Sequence, residues 1–491
     1  MTRGFTSLLL LWHDSAMDLA RRIGALTALC FLLPSLPAAQ LDEPTRKLAR
    51  DLFQQLIEIN TTDSSGSTTK AAQAIAKRFT DAGFAAADLK IAGPDDARQN
   101  LVIRLHASGT AARKPILIIC HLDVVEAKRA DWTTDPFQFV EKDGYFYGRG
   151  TQDVKDNDAA LVTDLIRFRR ENWHPNRDLI VALTAGEESG LSNGVDWLLK
   201  NHRDWIDAEY VLNPDGGGVT SRNGEIVNVD VEASEKLYAD FQLTATNPGG
   251  HSSLPVPDNA IYRVADGLAR LEKVIFPLEL NEITRTYFER RAPLESGQVK
   301  DDMQSLVRIP PNPEAVKRLS DDPRYNSLLR TTCVPTRLNG GHANNALPQL
   351  AQAIVNCRIL PGHSAEEIRQ MIVAVVNDPK VKVQYLDGGR PLDKAPDTKA
   401  FPPVLPKPEV LQPLEKVAAA MWPGAPVIPE METGASDSVH TIAAGMPSYG
   451  ISGMAIDQDD VRAHGKDERI RTSSFYDGVE FYYLYLKALC Q

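Results

Sequence analysis

The chain has 491 residues, more than one hydrophobic core usually serves, so two domains are expected. Its composition, 43% hydrophobic and 24% charged, is that of an ordinary globular protein. A formal net charge of −11 with no basic block argues against nucleic acid as the partner.

At the N-terminus, Arg21 and Arg22 precede an uncharged apolar run from Ile23 to Leu33, followed by Pro34, Pro37, Ala38 and Ala39. This order of charge, apolar run and small residues predicts a bacterial secretory signal over residues 1–39, with Met17 the better start and cleavage near Ala38 or Ala39. The run is too short for a membrane-spanning helix. Cys30 follows Leu29 rather than a small residue, which argues against a lipid anchor. The expected location is therefore the periplasm or the exterior, with no stable membrane anchor. Of the remaining cysteines, Cys120 ends an apolar strand and is expected to be buried. Cys333 and Cys357 are candidates for a disulfide that spacing alone does not establish.

Leu48, Leu52 and Leu56 recur at helical spacing within Thr45 to Ile59, and a second helix is expected from Lys70 to Ala82, stopped by Gly83. Residues 101–105 and 116–120 read as strands, the second apolar throughout as in the middle of a helix-covered sheet. His121-Leu-Asp123 follows at once. Then come Gly148-Arg-Gly-Thr-Gln-Asp153-Val-Lys155 and a helix from Asp156 to Arg170, whose buried side is expected from Ala159, Ala160, Leu161, Leu165, Ile166 and Phe168. The extra acid Asp156 is expected to cap that helix. A strand over 179–184 delivers Glu187-Glu188. A further helix around Val195 to Leu199 leads to Tyr210-Val-Leu-Asn-Pro-Asp215. Alternating strands and helices predict an α/β sheet with its ligand site beyond the carboxyl ends of the strands.

Near residue 235 the pattern changes. A strand is expected over 237–246, a helix over 259–274, a helical insertion over 277–330, strands over 352–360 and 380–386, and a helix over 365–376. This predicts a small sheet with two helices on one face. The expected organisation is a first domain from residues 40–234 and 387–491, and an inserted α+β domain from 235–386. The Pro-rich stretch 391–413 returns the chain to the first domain.

Imidazoles and carboxylates gathered at such strand ends suit zinc and related divalent ions. The set His121-Leu-Asp123, Gly150-Thr-Gln-Asp153-Val-Lys155, Glu187-Glu188, Asn213-Pro-Asp215 and Gly249-Gly-His251-Ser-Ser resembles the aminoacylase, glutamate carboxypeptidase and succinyl-diaminopimelate desuccinylase family of dizinc metallopeptidases. The resemblance implies a catalytic domain with a mostly parallel central sheet and an inserted ferredoxin-like lid and dimerisation domain. It implies two Zn²⁺ (Co²⁺ or Mn²⁺ as substitutes): His121 and Asp215 would hold one ion, Glu188 and His464 the other, with Asp153 between them. Asp123 would set the tautomer of His121, and Glu187 would be the general base. His251 would reach the scissile carbonyl, commonly from the partner subunit of a homodimer. Arg358 would clamp a substrate carboxylate, and Asn344 or Asn345 would help bind substrate. Gly434-Ala-Ser-Asp-Ser438 resembles a loop near the site, and His342 has no expected role.

The chain departs from the family at Asp156, where glycine is usual, and Asp215 stands where desuccinylases carry glutamate. The implied activity is hydrolysis of an amide bond in a small peptide or an N-acyl amino acid bearing a free carboxylate. The alternatives are a deacylase of an acylated biosynthetic intermediate, of the acetylornithine or succinyl-diaminopimelate type, and an inactive substrate-binding relative.

Overall fold

The computed structural model describes residues 41–109, 113–189, 192–397, 403 and 405–491. The expected secretory signal lies outside the described residues. Among them, no helix is long and apolar enough to cross a membrane.

The central sheet has ten strands. Along it run Leu89–Ala92 (β1), Asn100–Leu105 (β2), Leu179–Thr184 (β6), Ile116–His121 (β3), Tyr210–Asn213 (β7), Ser448–Gly450 (β18), Glu225–Glu235 (β9), Gly218–Arg222 (β8) and Ala455–Asp457 (β19), and Val427–Glu432 (β17) joins β9. Five pairings are parallel and four antiparallel. Three of the parallel ones hold the middle, β6 to β3 to β7 to β18, and the other two join β17 to β9 and β19 to β8.

The apolar reading of β3 has a direct cause. Ile116, Ile118 and Cys120 enter one core, with the helices Glu43–Glu58, Lys155–Arg170 and Thr472–Leu489. Leu117 and Ile119 enter another on the opposite face, with Val195, Leu198 and Met446. A strand covered on both faces has no side to leave polar.

In the larger core Phe53 stacks on Phe475 at 4.6 Å and meets Phe139 and Phe146 edge-on. Phe53 is fully buried, so Phe53→Ala is expected to cost about 3–5 kcal/mol, measured by denaturant unfolding. A change below about 1 kcal/mol would contradict this packing.

The helix Lys155–Arg170 is buried almost all round, not on one side only. It begins at Lys155 with Val154 at the N-cap position and no side-chain cap. Asp156 is therefore not the expected cap. It lies within the first turn, where its carboxylate accepts from the backbone and side-chain amides of Asn157 at 2.8 and 3.1 Å. Burial pushes its carboxyl well above the usual range.

A second sheet orders Thr332–Gly340 (β12), Leu350–Ile359 (β14), Leu237–Thr246 (β10), Val381–Asp387 (β15) and Arg390–Leu392 (β16). Helices Ala260–Leu271 and Ala365–Val376 cover one face, packing on Ala239, Phe241, Leu243, Val355 and Cys357. With period 2, Tyr238, Asp240, Asn356 and Arg358 therefore lie on the other face. Cys333 and Cys357 are paired in register across β12 and β14 and form the disulfide.

Strand β12 carries Pro335 at a register shift, as an edge strand tolerates. The helices between 282 and 329 pack their apolar sides on Ile428 and Met431 of β17, a strand of the central sheet. Two small pairings complete the architecture. Gly250–His251 (β11) pairs with Ala346–Leu347 (β13), and Val140–Lys142 (β4), Tyr145–Tyr147 (β5) and Arg469–Arg471 (β20) form a three-stranded sheet.

Candidate metal centre

Strands β3 and β6 run parallel with His121 opposite Thr184, so they end level. The main chain stays joined one step beyond, where Leu122 N–H donates to Thr184 O at 2.7 Å. Gly186, at φ +78, makes the turn after β6 that brings Glu187 and Glu188 back toward His121. Asp153 arrives on the turn before the helix Lys155–Arg170. The Lys155 side chain ties that turn to the first helix, donating to Leu56 O and Ile59 O at 2.9 Å each. Asp215 follows β7, its N–H held by the Asn213 side chain at 3.2 Å. His464 comes on the loop between β19 and β20.

These residues meet. His121 Nε2 lies 3.1 Å from Asp153 Oδ1 and 3.9 Å from Asp215 Oδ1. His464 Nε2 lies 2.9 Å from Asp153 Oδ2 and 3.1 Å from Glu188. Ligand atoms of His121, Asp153 and Glu188 fall within 4.8 Å of one another. Asp153 thus turns one oxygen to each histidine.

The chemistry of this set fits cations. The Nδ1 of His121 is 2.9 Å from the carbonyl of Asp123, which only accepts, so Nδ1 carries the hydrogen. A neutral ring then presents its Nε2 lone pair to the carboxylates of Asp153 and Asp215. Lone pairs facing one another require a positive charge between them. Without a metal that charge is a proton: although burial opposes it, Asp153 and Asp215 push His121 well above the usual imidazole range. Asp153 and Glu188 likewise push His464 up to about 10. A divalent ion at either Nε2 meets the same demand with nitrogen and oxygen donors, the set that suits zinc.

Asp123 is built into the site differently from the expectation. It is the backbone carbonyl that holds the His121 ring, whereas the carboxylate is 4.0 Å from Nδ1. The carboxylate accepts instead the backbone N–H groups of Glu187 at 3.3 Å and Glu188 at 3.0 Å. It thereby fixes the main chain from which both glutamates project. Burial pushes the Glu187 carboxyl up to about 9; His121 opposes the shift, while Asp215, Asp437 and Glu188 add to it.

Asp437, in the loop singled out as Gly434 to Ser438, brackets the same turn. It accepts from Thr184 Oγ1 at 3.2 Å and from Asn193 Nδ2 at 2.5 Å. Nothing in the sequence marks Thr184 or Asn193 as its partners.

The expected substrate residues form a separate group. His251 is exposed on β11, opposite Ala346 of β13, and Ser252 N–H donates to Asn345 O at 3.0 Å. The pairing thus brings His251 beside Asn344 and Asn345. Arg358 is half-buried on the helix-free face of the second sheet, its guanidinium 4.7 Å from the Tyr238 ring centroid. Among the described residues no carboxylate forms an ion pair with Arg358, and no hydrogen bond or ion pair joins His251 or Arg358 to the His121 cluster. His342 is exposed, and nothing in the structure gives it a role.

Residues 117–488 match the family model described as peptidase family M20/M25/M40. The N-fatty-acyl-amino acid synthase/hydrolase of Xenopus tropicalis is 27% identical over 376 residues, 75% of this chain and 71% of that protein. A probable succinyl-diaminopimelate desuccinylase of Staphylococcus aureus is 29% identical over 270 residues, 54% of this chain and 59% of that protein. Among solved structures, an M20 family metallo-carboxypeptidase from Sulfolobus solfataricus superposes with a TM-score of 0.66 at 16% identity, covering 91% of this chain and 99% of that one. Human carnosine dipeptidase 1 gives 0.63 at 13%, covering 91% and 97%. These two likenesses bear on the fold.

Proposed function

Because the chain belongs to peptidase family M20/M25/M40, we propose that this hydrolase cleaves amide bonds in small substrates with a free carboxylate, N-acyl amino acids or short peptides, using two zinc ions. The observation that carries the reading is the placement of Asp153, one oxygen toward each histidine. On this reading His121 and Asp215 would hold one ion, Glu188 and His464 the other, and Asp153 would serve both. When bound, such ions polarise a carbonyl and lower the pKa of water to roughly 7.

The chain's own residues do the rest. Glu187 takes the proton of the attacking water and returns it to the leaving nitrogen. The main-chain bonds to Asp123 hold it beside His121. Burial, with the nearby carboxylates, keeps its carboxyl high, and positive charge at the neighbouring ligands would favour its ionised form and draw its pKa back down. A group that gives and takes a proton works best with a pKa near the operating pH.

Arg358 receives the substrate carboxylate, a role supported by its lack of an ion-pair partner among the described residues. His251, with Asn344 and Asn345, contacts the scissile group from the inserted 235–386 domain, which also serves as lid and dimer contact. Residues 1–39 export the chain to the periplasm. The relationship to a probable desuccinylase favours a second reading, deacylation of a succinylated or acetylated biosynthetic intermediate. Export from the compartment of such pathways weighs against it, and the intact Glu187 weighs against an inactive binding relative.

The test is a panel of N-acyl amino acids and dipeptides, each with its carboxylate free and amidated, supplied with zinc. Hydrolysis is expected only of free acids. Arg358→Met is expected to raise KM for them by about 10–100-fold, the loss of a charged hydrogen-bonded contact. Equal turnover of the amidated substrates would remove Arg358 from this role. Turnover confined to succinylated or acetylated diamino acids would favour the second reading.

A further inference from the structure

We infer that Gln152 is the positioning residue that builds the second ion-binding half-site, by holding the loop that carries His464. The inference rests on the reading of His464 as a ligand. Polar contacts hold the loop: Thr133 donates to Asp467 through its N–H and its hydroxyl at 2.8 and 2.9 Å, Arg462 Nη1 donates to Asp467 O at 3.2 Å, and among the described residues Gln152 alone bonds the N–H groups just before His464. From 458 to 467 no residue is buried, and Val461 is 65% exposed, so no apolar packing holds it. Its tip is nevertheless held in a demanding conformation: His464 sits at φ +62, the left-handed region that side chains rarely adopt.

The side chain of Gln152 spends its whole hydrogen-bonding capacity on this loop. Its oxygen accepts from the backbone N–H of Arg462 at 2.7 Å and of Ala463 at 3.0 Å. Its nitrogen donates to Asp460 O at 3.2 Å and to Arg469 O at 2.7 Å. An amide offers two donors and two acceptor lone pairs, and all four are used. The contacts reach both limbs of the loop, Asp460 to Ala463 before His464 and Arg469 after it.

The main chain of Gln152 is anchored in turn, its N–H donating to Glu468 Oε1 at 2.7 Å. Glu468 pairs with Arg149 at 2.5 Å, and Arg149 Nη2 donates to Gly465 O at 2.9 Å. Gln152 immediately precedes Asp153. The residue next to the shared carboxylate therefore also holds the segment that leads into the imidazole facing its Oδ2. A side chain of the same length without polar atoms would leave Asp153 in place and release His464.

The experiment uses the full chain and Zn²⁺ alone. Equilibrium dialysis measures the affinity of each ion, and hydrogen exchange of the ion-free protein reads the Arg462 and Ala463 amides. In Gln152→Met the second ion is expected to bind about 10–100-fold more weakly with the first unchanged. The two amides are expected to lose their protection while those of β3 and β6 keep theirs. On a His464→Ala background, Gln152→Met is expected to weaken zinc by less than about twofold, since the group it positions is already gone.

Unchanged second-ion affinity, equal weakening of both ions, or additive loss on the His464→Ala background would overturn the inference. Should Gln152→Met fail to fold, Gln152→Glu, which keeps the acceptors and loses the donors, is expected to weaken the second ion in the same direction, and a wild-type affinity there would overturn the inference equally. A wild-type chain that takes up only one ion would instead sink the two-ion reading. Protected Arg462 and Ala463 amides in Gln152→Met would refute the loop-holding role itself.

Discussion

Glu187→Gln is expected to lower kcat by about 10²–10⁴-fold, the usual worth of a general base, while zinc content and KM stay near those of the wild type. The substitution keeps the length of the side chain and removes its ability to take a proton. It leaves untouched the groups that build the site. The backbone N–H of Glu187 stays bonded to Asp123, and Glu188, Asp153 and His464 keep their mutual contacts. Turnover and metal content should therefore separate. A variant that loses zinc along with activity would make Glu187 a ligand, and one with undiminished kcat would move the proton transfer to another group.

Asp153→Asn should remove both functions together. Among the described residues, Asp153 is the carboxylate in contact with both imidazoles, 3.1 Å from His121 on one oxygen and 2.9 Å from His464 on the other. An amide cannot present an anionic oxygen to each side, and two cations with no shared anion between them repel. The expected result is a fall from two zinc ions per chain to one or none, with turnover reduced by at least about 10⁴-fold, the upper end of what a single proton-transfer group contributes. Stability supplies a reading independent of activity. A ligand at 100 times its dissociation constant stabilises the folded state by about 2.7 kcal/mol. Zinc should therefore raise the melting temperature of the wild type more than that of Asp153→Asn, which gains at most the stabilisation of a single ion. A variant that still binds two ions and melts like the zinc-loaded wild type would end the role of Asp153 as the shared ligand.

Much of the fold was legible because its signals are local. Strand β6 and the helix Ala365–Val376 fall where their apolar patterns put them, and both strand and helix then carry buried faces. Less legible were β12, β17 and the short strands at the sheet margin, where Pro335 and Pro429 interrupt the pattern and register with a neighbour decides. Among site residues, His121, Asp153, Glu188 and His464 lie side by side, His464 from a loop far along the chain. Asp156 is where charge near a helix start misleads: the helix already begins at Lys155 with Val154 at its cap, so Asp156 lies inside the first turn and past the capping position. Asp123 orients His121 through its carbonyl, a role that belongs to the main chain and that no side-chain identity announces.

By itself, then, the sequence determined the strand ends at which ligands could appear, and the residue types available there. Both follow from the burial of neighbouring residues, which a local pattern records. The tertiary structure alone decided how those ligands are held. Gln152 reads as one polar residue inside a motif until the chain brings Arg462 and Ala463 to it from 310 and 311 positions away. Asp437 reads as a turn residue until it meets Thr184 and Asn193 across 253 and 244 positions. A hydrogen bond depends on distance and angle in space, and no periodicity along the chain encodes either across such separations.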